Sequence, residues 1–258
     1  MEAIKVIKIG GNSIDDSAAL QEFLINFSQI KGPKILVHGG GKLATKLAKQ
    51  LNVTTEMVVG RRITNAENLD IITMVYAGKI NKNIVVALQK NKCNAIGFTG
   101  ADGNTITSVK RPIKEIDYGF VGDVTQVNIE LLEMLLENNI TPVFCAITHD
   151  KKGQLLNTNA DTIAAELAIA FAQKHQTELY YCFDKNGVLL DINDENSVVE
   201  NINSNTYKEL LDAQLIFDGM LPKLNNCFHA LNNQVFKIHV GTSEMLFNPN
   251  VKYTTIQP

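Results

Sequence analysis

Hydrophobic positions along this chain follow two alternating rhythms. Short β-branched runs end in glycine: Ala3 to Ile9 runs into Gly10-Gly11, and Lys34 to Val37 into His38 and three glycines, the mark of buried strands. Between them Leu20, Phe23, Leu24 and Phe27 recur at helical spacing behind Asp15 or Asp16 as N-cap, and Gly32-Pro33 closes that helix. Leu43, Leu47 and Leu51 predict a second helix. Strand, helix, strand, helix is the signature of a parallel sheet covered on both faces.

The rhythm continues less evenly. Residues 54–64 read as a loop or short hairpin around Gly60-Arg61-Arg62. A long helix runs from Ala66 to about Lys90 on Leu69, Ile72, Val75, Ile80, Ile84 and Leu88, and Asn94 to Phe98 is a strand. Residues 104–127 alternate and turn, which predicts hairpins over the sheet. Asn128 caps a helix to Glu137, Thr141 to Ile147 is a core strand, and an alanine-rich helix follows Asn157-Thr158-Asn159-Ala160-Asp161 to about Lys174. A new cycle opens with a strand from Thr177 to Phe183, ending in Asp184-Lys185-Asn186-Gly187. A helix on Leu210 and Leu211, another from Gly219 to Asn232, and a last strand from Val235 to Val240 complete it. The whole of 1–258 reads as one domain of two lobes, 1–174 and 175–258, joined by a pivot because no Gly/Ser/Pro-rich spacer separates them.

Composition narrows the function classes. The chain's 258 residues, 45% of them hydrophobic, can bury a sizeable core. A net charge of −3 argues against a nucleic-acid surface. It leaves room for small anionic substrates, which need only a local cluster of positive groups. Cys93, Cys145, Cys182 and Cys227 lie far apart with no CxxC or Cys/His pairing, so neither a disulfide framework nor a zinc site is expected, and a reducing compartment is. No uninterrupted apolar run approaches the roughly 20 residues of a membrane span. Lys5 and Lys8 interrupt the first strand, so the N-terminus does not read as a signal peptide. The expected location is cytoplasmic, without a membrane partner.

The candidate chemistry sits at the strand ends. Glycine lets backbone amides approach an oxyanion, and a following helix N-terminus adds a favourable dipole. Two such loops, one beside Lys8, favour a phosphate site over plain tight turns. Neither is a P-loop, because Leu36 stands where that motif needs its first glycine. Lys8, a charge at the end of an apolar strand, either meets an anion or snorkels from a sheet edge. Arg62 is either a bidentate carboxylate clamp or a solvated charge. Asn157, Asn159 and Asp161 fit an ordinary helix start, Lys223 an exposed first turn, and His38 a structural position. No nucleophile–base arrangement is suggested, and no metal ligands stand out.

Taken together, these residues resemble the amino acid kinase family. The motifs are Lys8-Ile9-Gly10-Gly11, His38-Gly39-Gly40-Gly41, Gly60-Arg61-Arg62-Ile63-Thr64, Gly119 to Val124, Asn157 to Asp161 and Asp218-Gly219-Met220-Leu221-Pro222-Lys223, in the family's order and spacing. The resemblance implies an α/β three-layer αβα sandwich with a mostly parallel central sheet. Its N-terminal lobe would hold an acyl-amino acid and its C-terminal lobe ATP. Within the family, the branch these motifs resemble implies phosphorylation of the γ-carboxylate of N-acetyl-L-glutamate in arginine biosynthesis, with Mg²⁺ accompanying ATP. On the matching positions, Lys8 and Lys223 neutralise the transferring phosphoryl group and Asp161 holds the two lysines. Gly10 and Gly11 give amides to phosphate, Gly40 and Gly41 contact the acyl-amino acid, Arg62 grips its α-carboxylate, and Asn157 binds nearby. Asp184 and Gly187 belong to the ATP site.

Some positions depart from that pattern. Lys185 follows Asp184 where a small residue is usual, and Thr148 stands where glycine is common. Arg61 adds a second positive charge beside Arg62, which suits N-succinyl-L-glutamate as a rival substrate. The motifs are also compatible with a relative acting on aspartate, glutamate, aminoadipate or UMP, and with a non-catalytic sensor on the same fold. The first strand begins by residue 3, which leaves no room for the extra helix of the hexameric, arginine-inhibited relatives. A homodimer through the 66–90 helix, insensitive to arginine, is therefore expected.

Overall fold

A computed structural model describes residues 2–10, 12–58, 60–191, 193–213 and 220–258. The strands are β1 (Ile4–Ile9), β2 (Lys34–His38), β3 (Glu56–Val58), β4 (Arg61–Ile63), β5 (Ala95–Phe98), β6 (Ile106–Lys110), β7 (Gly122–Val127), β8 (Thr141–Cys145), β9 (Ile147–His149), β10 (Leu155–Asn157), β11 (Thr177–Cys182), β12 (Asn201–Ile202), β13 (Lys237–Gly241) and β14 (Thr254–Ile256). The helices are α1 (Asn12–Asp15), α2 (Ser17–Gln29), α3 (Gly41–Gln50), α4 (Ala66–Thr73), α5 (Asn81–Lys90), α6 (Glu130–Glu137), α7 (Ala160–Ala172), α8 (Ser204–Asp212) and α9 (Leu221–Asn232). The central sheet is mostly parallel, with helices packed on it, as the αβα expectation requires.

The chain forms two compact units, Met1–Ile35 with Ala164–Pro258, and Leu36–Ile163. This differs from a single cut near residue 175. The reason is strand pairing: β1 runs parallel to β11 in continuous register from Ile4 opposite Thr177 to Ile9 opposite Cys182. The first strand therefore folds with the C-terminal part of the chain.

In the first unit the strand order is β12-β14-β13-β11-β1. Val6, Ile7 and Ile9 are fully buried on both faces of β1, as are Leu24 and Phe27 of α2 and Phe171 of α7. Asp16 caps α2 as expected, its Oδ1 accepting from the amides of Ala18 and Ala19. Lys34 closes the other end of α2, donating to the carbonyls of Phe27 and Ser28 at 2.9 and 3.2 Å, where the helix dipole is negative. The strand expected from Val235 to Val240 is β13, but it is not the last. β14 returns antiparallel to it. Three residues within a polar tail carry too little alternation to reveal that strand.

The second unit holds the parallel strands β2-β8-β5 and a separate four-stranded sheet in the order β10-β9-β6-β7. Residues 104–127 supply one antiparallel ribbon, β6 with β7, not several hairpins. The core strand expected over Thr141 to Ile147 divides at Ala146: β8 pairs with β2 and β5, whereas β9 pairs with β6 and β10. In α3 the residues that bury are Ala44 and Ala48; Leu51 is 53% exposed. Leu43 and Leu47, beside the two alanines, are half-buried, so the inward face is turned toward Ala44 and Ala48 and away from Leu51.

Ala66–Lys90 is one continuous helix of 25 residues, interrupted by a π-helical stretch at Met74–Ile80. By length and composition alone it could cross a membrane, but half of its most apolar window is buried, as in a core helix. The π stretch keeps Val75, Tyr76, Ile80 and Asn81 all buried. Such local widening recurs at functional sites.

Candidate active site

A pocket opens in the second unit between the glycine loop after β2, the β3–β4 hairpin and the start of α7. Gly40 N-caps α3 at φ +156°, and a Cβ there would collide with Ile80 Cδ1 and come within 3.0 Å of Tyr76. Only glycine fits, and the loop it forms brings the N-terminal end of α3 to the pocket at Gly40 and Gly41.

His38 braces this loop from inside. It is fully buried, with Nδ1 2.9 Å from the Gly39 carbonyl and Nε2 3.1 Å from Asn81 Nδ2. A carbonyl only accepts, so Nδ1 carries the proton and Nε2 accepts from Asn81. Asn81 also donates to the Val143 carbonyl at 2.9 Å. His38 is thus structural, as its sequence position suggests. Burial pushes its imidazole down to about 4.

His239 of β13, stacked on Tyr180 at 4.5 Å and 3.9 Å from Glu178 Oε2, is likewise pushed down to about 4 by burial. Between pH 4 and 6.5 the unfolded chain then binds protons at both histidines that the folded chain refuses, so stability falls as pH falls. The expected loss between pH 7 and 5 is about 2 kcal/mol for each histidine. Urea unfolding at the two pH values checks it; His239→Phe should make the pH dependence shallower, and an unchanged slope would contradict the assignment.

Arg62 is the pocket's least expected residue. It lies 7% exposed on β4, where a solvated charge would be freely accessible. Its Nη2 donates to Thr45 Oγ1 at 2.7 Å and the Gly41 carbonyl at 3.1 Å; its Nη1 donates to Thr55 Oγ1 at 3.1 Å and points at Asn68 Oδ1 at 3.5 Å. Every one of these partners is neutral. Burial accordingly lowers the Arg62 pKa from its ordinary value. The guanidinium also sits at the positive end of α3, where a second cation is unfavourable unless an anion joins it. Arg111 in the same pocket is different: it forks onto Asp123, with Nη2 to Oδ1 at 2.6 Å and Nε to Oδ1 at 3.0 Å. Of the pocket's three arginines, Arg61 is exposed, Arg111 is paired with a carboxylate, and buried Arg62 meets only neutral groups among the described residues.

Asn157 ends β10 at the pocket edge and donates to Thr64 Oγ1 at 3.0 Å. The cap of α7 belongs to Asn159, whose Oδ1 accepts from the amides of Asp161 and Thr162. Asp161 stands in the helix's first turn, half-buried. Thr148 does not line the pocket. It is fully buried in β9 and shares a 2.7 Å hydrogen bond with Thr158, which does line it.

In the first unit, Lys8 is the last residue but one of β1, half-buried with its ammonium lying over Gly10; a Cβ on Gly10 would stand 2.5 Å from Nζ. Gly11, Asp218 and Gly219 lie outside the described residues. Lys223 falls in the first turn of α9, its Nζ 5.7 Å from the centre of the Phe183 ring. Asp184 is exposed just after β11, while Gly187 is buried so that a Cβ would meet Thr254 Oγ1 at 2.5 Å. Lys185, the departure in that turn, forms an exposed 3.5 Å ion pair with Glu195. Among the described residues no cluster of three or more metal-ligating side chains occurs.

Pocket residues that sequence reasoning missed are Tyr76 and Arg111. Tyr76 stands next to Val75 in the apolar helix and reads there as one more core position. Arg111 shows its role only through a cross-strand partner 12 residues away.

A mostly parallel α/β sheet with glycine-turned strand ends, a lysine over one loop and an unneutralised arginine beside the other has the features of a small-molecule phosphotransferase. The model of the amino acid kinase family matches residues 3–242, and the chain belongs to that family. It is 53% identical to the acetylglutamate kinase of Cytophaga hutchinsonii over 247 residues, covering 95% of this chain and 94% of that one. It is 51% identical to the acetylglutamate kinase of Phocaeicola vulgatus, covering 92% of each. Among solved structures it is similar to carbamate kinase from Giardia lamblia bound to AMP-PNP, with TM-score 0.74 and 13% identity over 99% of this chain and 98% of that one. It is also similar to N-acetylglutamate synthase from Neisseria gonorrhoeae, with TM-score 0.82 and 18% identity over 99% of this chain and 59% of that one. At those identities the two structures share the fold.

Proposed function

We infer that this chain phosphorylates the γ-carboxylate of N-acetyl-L-glutamate with ATP, giving N-acetyl-L-glutamyl 5-phosphate and ADP in arginine biosynthesis. The observation that carries this is Arg62, buried against neutral partners beside Gly40 and Gly41, in a chain that shares half its residues with acetylglutamate kinases. An unneutralised guanidinium next to a helix N-terminus is a site for the substrate's α-carboxylate. Gly40, Gly41 and Asn157 complete the substrate's surroundings.

Lys8, Lys223 and Asp161 are the proposed catalytic residues; Gly10, Gly11, Asp184 and Gly187 serve ATP. The attacking γ-carboxylate is already ionised, so no general base is required. The barrier lies in bringing anions into line, and lysine charge lowers it. Mg²⁺ enters with ATP, held mainly by phosphate oxygens and water. The four cysteines are free and buried, which suits the cytoplasm. Met74 and Val86, 54% and 68% exposed on the Ala66–Lys90 helix, support that helix as the face of a homodimer.

A hydroxamate assay with ATP and N-acetyl-L-glutamate tests the activity directly. Acyl-phosphate formation is expected; turnover of aspartate, carbamate or UMP instead would overturn the assignment. Arg61, exposed at the same pocket, favours a second reading in which N-succinyl-L-glutamate is the better substrate. Comparing kcat/KM for the two acyl-glutamates decides it, and a clear preference for acetyl excludes the succinyl reading.

A further inference from the structure

The surroundings of Arg62 carry a step that the pocket's overall shape does not. Thr45, Thr55 and Asn68 come from three separate segments: α3, the loop before β3, and α4. They converge on one guanidinium. Thr45 Oγ1 accepts from Nη2 and donates to the Gly41 carbonyl at 2.9 Å, tying Arg62 to the glycine loop. Thr55 Oγ1 accepts from Nη1 and donates to Asn68 Oδ1 at 3.3 Å. Asn68 is itself locked, 2% exposed, with Nδ2 donating to the Thr54 carbonyl at 2.8 Å and to Asn65 Oδ1 at 2.9 Å. Its Oδ1 must therefore face the guanidinium.

A buried arginine is rarely found without a charged partner, and even the partly exposed Arg111 of this same pocket is met by the Asp123 carboxylate. Here three polar side chains surround the guanidinium and none is charged. They fix its plane and leave its charge for whatever enters.

Resting on the acyl-glutamate reading, we propose that Thr45, Thr55 and Asn68 form a charge-neutral cage that positions Arg62 and reserves its charge for the substrate's α-carboxylate. Thr45 is the member best placed to show this. It is exposed in the second turn of α3, so it tolerates substitution. An aspartate there would supply the carboxylate that the cage omits and would compete with the substrate for the guanidinium.

The test compares Thr45→Asp with Thr45→Asn, nearly identical in shape and different in charge, by saturation kinetics on the full-length enzyme. KM for N-acetyl-L-glutamate is expected to be at least about tenfold higher in Thr45→Asp than in Thr45→Asn, as expected when a buried charge finds a competing partner. Between the two, kcat and KM for ATP should differ by less than about threefold, because lost uniform binding raises KM alone. Thr45→Ser, which keeps the hydroxyl, should lie closer to the natural enzyme than either. Equal KM values in Thr45→Asp and Thr45→Asn would overturn the cage, as would a fall in kcat without a rise in KM. Thermal unfolding confirms that each variant is folded; if Thr45→Asp is not, Thr55→Asp against Thr55→Asn reads the same comparison. Absence of turnover in the unsubstituted enzyme would instead overturn the acyl-glutamate reading, and the cage with it.

Discussion

Replacing Lys8 by alanine is expected to lower kcat by about two to three orders of magnitude while KM for both substrates moves little. A charge that acts mainly on the phosphoryl group in flight stabilises the transition state more than either ground state, so its loss appears in kcat. The placement of Lys8 favours such a role. It stands next to the end of β1, half-buried between Ile7 and Ile9, and its ammonium is folded over the backbone of Gly10. A lysine serving solubility alone would extend outward. Lys185→Ala is the matching control. That lysine is also in the first unit, but its partner is the exposed Glu195, and surface pairs of this kind contribute only about 0–1 kcal/mol. Steady-state kinetics on both variants decides the matter. A near-natural kcat in Lys8→Ala, or an equal loss in Lys185→Ala, would remove Lys8 from the mechanism.

Lys8 also shows what the sequence could say about this site. Its position at a strand end beside two glycines was legible, because period-2 burial and glycine turns are local properties. Whether it snorkels or serves an anion was not, because that depends on where the side chain folds. The α/β alternation, the cap at Asp16 and the hairpin at Glu56–Ile63 were legible for the same local reason. Non-local pairing was not. β1 belongs with β11 through 173 residues of separation in register, which no window of sequence contains. The break at Ala146 is similar: an apolar run from Thr141 to Ile147 gives no sign that its last residues leave for another sheet. The helix at Gly41–Gln50 shows a third kind of limit. A leucine stripe marks the buried side only approximately: Leu43 and Leu47 are half-buried, while the neighbouring Ala44 and Ala48 are fully buried. At the pocket, the residue types were legible and their electrostatic state was not. Arg62 and Arg111 look alike as letters, and only the pairing of Arg111 with Asp123 separates a spent charge from an available one.

Arg62→Met should therefore separate function from stability. KM for N-acetyl-L-glutamate is expected to rise roughly a hundredfold or more, the cost of removing one partner of a desolvated charge pair. Stability should stay close to that of the natural chain. Among the described residues the buried guanidinium meets no counter-charge, and replacing a buried ionic group by an apolar side chain of similar volume is often neutral or stabilising. The groups left behind retain other bonds: the Gly41 carbonyl still accepts from Thr45 Oγ1, and Asn68 Oδ1 still accepts from Thr55 Oγ1. Thermal unfolding with and without N-acetyl-L-glutamate makes the distinction. The unliganded midpoint should be unchanged or slightly raised, and the upward shift given by the ligand, which follows its affinity for the folded state, should be lost. Arg111→Met is a contrasting case: it removes a partly exposed ion pair, whose Asp123 carboxylate solvent can take up, and the unliganded midpoint should fall only slightly. If Arg62→Met also unfolds at markedly lower temperature, the guanidinium is a structural tie between α3, β4 and α4, and the substrate's α-carboxylate must be held elsewhere.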